Sequence, residues 1–63
     1  MDQGKIHEWN ADPGEGSIKN DQGGPVLYFT VDDLVIDPDE IHPGDTVSFQ
    51  IQGPGRAAKV NKA

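Results

Sequence analysis

Few residues in this chain could do chemistry, and most of them stand alone. Asp37-Pro38-Asp39-Glu40 puts three carboxylates in four residues, a composition that suits a hard cation. The EF-hand spacing is missing, with no glycine at its sixth position and no closing glutamate, and Pro38 and Pro43 stiffen the segment against wrapping an ion. It reads as a solvated acidic loop. His7 and His42 lie on different segments with no second ligand two or four residues after either, so no zinc site is expected. Ser17 and Ser48 have no base partner in view, and so short a chain leaves little room for a pocket that excludes water. Gly14-Glu15-Gly16 lacks the lysine and following helix of a phosphate-binding loop. No enzyme activity, metal or cofactor is expected.

What is left is the chemistry of contact. Residues 9–18 read as the end of one strand, an Asp12-Pro13-Gly14 turn and the start of a second strand. Pro13 pre-sets its own φ, and Gly14 tolerates the positive φ that such turns often demand. Side chains alternate along a strand, so Glu15 and Ser17 share one face while Gly16 and Ile18 share the other. Ile18 belongs in a core, which turns Glu15 and Ser17 outward, toward a partner. Farther on, Leu27 and Phe29 share one face and Val26, Tyr28 and Thr30 the other.

Five strands must position these residues. Their expected spans are 4–9, 15–19, 26–31, 46–52 and 57–61, bounded by Asn20-Asp21-Gln22-Gly23-Gly24, Pro43-Gly44-Asp45 and Gly53-Pro54-Gly55. Ile6, Ile18, Leu27, Val47, Phe49, Ile51 and Val60 supply the expected core. Strict alternation in the first strand would place Glu8 beside Ile6, at a cost of several kcal/mol for a buried carboxylate. A bulge after Ile6 would return Glu8 to the surface and let Trp9 cover one end of the barrel. Between the third and fourth strands, residues 32–43 hold five acids and two prolines, with Leu34, Val35, Ile36 and Ile41 to anchor them. That segment reads as a long loop with one helical turn near Asp32-Asp33-Leu34.

Size and charge bound the rest. At 63 residues the chain is one domain, near the lower limit for an unaided core, and no cysteine is present to staple it. A nearly closed β-barrel suits that length because it leaves few strand edges. All 11 acids fall in residues 1–45, whereas residues 46–63 carry Arg56, Lys59 and Lys62 and no acid. The net charge of −6 argues against a strong generic polyanion binder, and any phosphate contact would favour the last third. No apolar run has the length of a membrane span and no leader pattern is visible, so a soluble cytoplasmic protein is expected.

Gly4-Lys5-Ile6 together with residues 9–18 resembles the opening of the cold-shock domain, G-x-V-K-W-F-N-x-x-K-G-F-G-F-I, with its frame kept as Gly4, Asn10, Gly14, Gly16 and Ile18. Pro25-Val26-Leu27-Tyr28-Phe29 falls on the family's V-F-V-H-F, residues 43–51 on its E-G-Q-x-V-x-F-x-I, and Ala57-Ala58-Lys59-Val60 on its closing strand. The resemblance spans nearly the whole chain and implies a five-stranded antiparallel Greek-key barrel of the OB type. It also implies single-stranded RNA or DNA binding on a face of exposed aromatics, where each stacked base is worth about 1–3 kcal/mol. Here the stacking positions hold Glu8, Glu15, Ser17 and Val26, and Pro13 stands for the lysine ahead of the glycines. Trp9, Tyr28, Phe29, Arg56 and Lys59 are what remains for a weak single-strand site, and Tyr28 and Phe29 read equally as ordinary strand and core aromatics. The other reading takes Glu8, Glu15 and the acidic loop as a face for a basic protein surface, including one that normally receives nucleic acid.

Overall fold

The computed structural model describes all of Met1–Ala63. Five strands form it: β1 (Asp2–Asn10), β2 (Glu15–Asn20), β3 (Leu27–Thr30), β4 (Thr46–Ile51) and β5 (Ala57–Lys62). They make one antiparallel sheet in the order β3-β2-β1-β4-β5. The sheet curls until its two ends meet, where Tyr28 bridges Arg56 in parallel and its amide donates to the Gly55 carbonyl at 2.8 Å. The resulting circuit β1-β2-β3-β5-β4-β1 is that of a small, partly open OB-type Greek-key barrel.

The strands fall where alternation and turn residues put them, with ends shifted by one or two positions. The third strand is shorter than expected: Val26 precedes it and Val31 opens a 3-10 turn (Val31–Asp33). A second 3-10 turn (Pro38–Glu40), absent from the sequence reading, starts where the Asp37 side chain accepts from the Asp39 amide at 2.9 Å.

The predicted bulge is present in β1. Ile6 faces Ile18 and Glu8 faces Ser17, so His7 is the extra residue. Ile6 stays in the core, Glu8 is exposed, and Trp9 comes round to pack on the core rim. A matching irregularity lies in β5, where Ser48 pairs with Asn61 but Gln50 with Ala58. Lys59, inside that irregularity, sits at φ 53, in the left-handed region.

The core joins Ile6, Ile18, Leu27, Val47, Phe49 and Val60, as expected, to Phe29, Ile41 and Ala57. Ile51 is not in it and is 51 % exposed. The reason is pairing. β4 runs beside β1 only from Thr46 to Phe49, so Gln50 and Ile51 extend past the end of β1 and have no barrel wall beneath them. Leu34, Ile36 and Ile41 anchor the long loop, while Val35 points to solvent.

One row across the sheet controls its shape. Trp9, Gly16 and Phe29 are register partners on β1, β2 and β3. Strands two apart lie roughly 9.5 Å from one another. The Trp9 and Phe29 ring centroids nevertheless sit only 5.6 Å apart, with planes 1° from parallel. They can lean together because Gly16, between them, has no side chain. A Cβ there would lie 2.7 Å from Phe29 Cζ and 2.7 Å from the Glu8 carbonyl oxygen. Gly16→Ala should therefore destabilise the fold by about 1–3 kcal/mol through overpacking, although alanine is otherwise the better residue inside a strand. Thermal unfolding and the emission of the single tryptophan test this; an unchanged melting point and spectrum would show the row to be loose.

A second tie holds the last strand. Asp45 Oδ2 accepts from Lys62 Nζ and from the His42 amide, both at 3.1 Å, and the Asp45 carbonyl accepts from the Ile6 amide at 2.9 Å. The hydrogen bond from Lys62, helped by the His42 amide, holds the Asp45 carboxyl below its ordinary value against a smaller opposing effect of burial. A depressed carboxylate contributes stability that is present above its unfolded pKa, about 3.9, and is lost as pH falls through the lower folded value. In an acid titration followed by NMR, Asp45 should titrate below the ordinary aspartate range, and Asp45→Asn should remove its share of the acid-induced loss. An ordinary titration of Asp45 would refute the tie.

Candidate binding face

The outer surface of β1, β2 and β3 carries the residues singled out from sequence. Glu8, Ser17 and Tyr28 form one row in register, and Asn10, Glu15 and Thr30 the next but one. Glu8 and Glu15 are exposed and Tyr28 is 59 % exposed. Between them runs a shallow groove of ≈ 250 Å³, lined by Glu8, Trp9, Asn10, Glu15, Ser17 and Tyr28. No lysine or arginine pairs with either glutamate; the one contact of this kind is His7 Nε2, 4.0 Å from Glu8 Oε1.

Ser17 departs from its expected exposure, and Phe29 and Trp9 are taken up by packing. Ser17 shares the outward face but does not offer its side chain to solvent: it is 2 % exposed, and its Oγ has no hydrogen-bond partner. A small side chain on the middle strand is shaded by the larger Glu8 and Tyr28 in register on either side. Phe29 is 1 % exposed and belongs to the core, so it cannot serve as a base platform. Trp9 is half-buried, with one ring face taken by Phe29.

Two of the three cations of the last third are also committed. Arg56 Nη2 donates to Asp33 Oδ2 at 2.9 Å, and the same oxygen accepts from the Thr30 amide at 2.9 Å. That carboxylate ties the end of β3 to the start of β5, so the guanidinium works in closing the barrel. It still borders the Tyr28 side chain, sharing with it a second hollow of ≈ 220 Å³ that also touches Glu15. Lys62 is held by Asp45. Lys59 forms no ion pair but lines a separate hollow with Asp32, Leu34 and Val35, away from the groove. Val26 is half-buried ahead of β3 and outside the row. Of the single-strand candidates, Tyr28 alone is an exposed aromatic on this face, with Arg56 beside it.

The acidic loop brings no group of three or more ligating side chains together. No helix is long and apolar enough to cross a membrane. No protein-family model matches the chain, and no curated protein sequence matches it.

The burial of Ser17 Oγ is what sequence reasoning missed. A lone serine among outward residues gives no signal of burial until the strand register is known. An unpaired buried hydroxyl costs about 1–3 kcal/mol, so Ser17→Ala should stabilise the free protein by about that order. For a domain this small each kcal/mol raises the melting temperature by roughly 4–8 °C. Differential scanning calorimetry tests it, and a lowered melting point would show the hydroxyl to be satisfied.

Proposed function

We propose that this chain is an OB-type interaction module that uses the outer face of β1–β3 to engage a basic partner protein. The observation that carries the reading is the pair of exposed glutamates, Glu8 and Glu15, flanking the exposed ring of Tyr28 without a lysine or arginine to neutralise them. An aromatic beside two carboxylates suits a cationic side chain, which gains from the ring face and from both charges. It repels a phosphate chain, for which each added anion weakens binding. The cold-shock resemblance supplies the barrel for this reading, and the substituted face supplies its chemistry. A partner of this kind presents a lysine- or arginine-rich surface, including one that receives nucleic acid, which makes the module a mimic of the polyanion it displaces.

Single-strand binding is the second reading, favoured by Tyr28 standing next to Arg56. A heteronuclear NMR titration of the chain with a lysine–glycine repeat peptide, and separately with an oligo-pyrimidine, distinguishes the two. The peptide should move the amides of Glu8, Glu15, Ser17 and Tyr28, saturate, and weaken as salt is raised. The oligonucleotide should give weaker shifts on that face. Tight oligonucleotide binding without a response to the peptide would overturn the proposal.

A further inference from the structure

The unpartnered hydroxyl of Ser17 gives the acidic groove a definite ligand chemistry, and this inference rests on the reading of the face just proposed. Ser17 is all but inaccessible, its Oγ makes no hydrogen bond, and alternation turns its side chain to the outer face, where it floors the groove. A buried polar atom without a partner is rare and costly. It makes sense where a ligand supplies the partner.

We infer that the groove is a subsite for the primary ammonium of a lysine side chain, with Ser17 Oγ, Glu8 and Glu15 as its three acceptors and Tyr28 as its wall. Glu8 faces Ser17 directly across the β1–β2 pair, which puts their Cβ atoms about 4.5–5.5 Å apart. Glu15 precedes Ser17 by two positions on the same face of β2, roughly 6.6 Å along the strand. The three side chains thus start from adjacent positions on one face and border the same groove. An ammonium presents three donors and can satisfy all of them, whereas the flat fork of a guanidinium matches a single carboxylate edge-on. The Tyr28 ring borders the same groove, and its face attracts a cation within about 6 Å. Glu8 and Tyr28 are both largely exposed, so either can swing aside and uncover Ser17 Oγ as the lysine enters.

The test uses the full chain and a glycine–serine peptide with one central lysine, in three forms: unmodified lysine, Nε-trimethyl-lysine and arginine. Trimethylation keeps the charge and the ring contact but removes every N–H donor. Affinities come from NMR shifts of the Glu8, Ser17 and Tyr28 amides. The unmodified peptide should bind about tenfold or more tightly than the trimethylated form, the worth of a hydrogen bond to a charged group. Ser17→Ala should weaken the lysine peptide by about tenfold while leaving the trimethylated one unchanged, a loss opposite in sign to its gain in stability. Equal binding of the three peptides, or of Ser17→Ala and the unmodified chain, would overturn the subsite yet leave the acidic face standing. No response at these residues to the lysine peptide, with none to the lysine–glycine repeat, would overturn the subsite together with the reading it rests on.

Discussion

The stack of Trp9 on Phe29 over Gly16 is the contact on which the rest of the barrel depends. It requires β1 to present Trp9 inward at the row where β2 has no side chain, and only the extra residue His7 achieves that phase. Without the bulge, Glu8 would take the inward place and meet Phe29. The same half-turn of phase throws Glu8 out beside Ser17 and Tyr28. The acidic face is therefore a geometric consequence of how the core is capped. In so small a domain, where total stability is only a few kcal/mol, an inward carboxylate at this row could not be tolerated.

Closure of the barrel engages two of the three cations of the last third. Its two free edges meet at the Tyr28–Arg56 bridge, followed by a second at Leu34–Val60, and Asp33 reinforces the seam by accepting from both Thr30 and Arg56. Asp45 does the same at the other end of the sheet through Lys62. Each tie pairs a cation of the last third with an acid from residues 1–45, so two of that third's three cations are neutralised inside the fold. Glu8 and Glu15 lie outside those pairings. The field on the β1–β3 face follows from which carboxylates the closure leaves over, more than from the net charge of −6.

The strands, the barrel and the inner residues were legible because alternation carries that information locally. The bulge was legible too, since Glu8 next to Ile6 conflicts with burial in any regular strand. Ile51 was misassigned because its alternation is correct but its strand outruns its neighbour, a fact about lengths of paired strands that no single strand records. Phe29 was ambiguous between core and platform until Gly16 opposite it showed where the ring goes. Ser17 was placed on the right face with the wrong exposure, because shading depends on the two cross-strand neighbours. Arg56 and Lys62 looked available because their acids lie 23 and 17 residues away in sequence.

Separation of the two faces explains how one barrel can change its chemistry without changing its fold. Ile6, Ile18, Leu27 and Phe29 point inward from the same three strands that present Glu8, Ser17 and Tyr28 outward. Replacing Glu8 or Glu15 removes no core contact, so the outer face is open to aromatics, carboxylates or amides at small cost to stability. Ser17 is the exception, because it is both outward and buried. Its hydroxyl lowers the stability of the free chain and does nothing for the core, so it is the one outer residue whose presence the fold alone does not account for. An atom that costs stability when free and gains a partner when bound is what a recognition site needs, since its unmet hydrogen bond becomes binding energy only with a ligand that pairs with it.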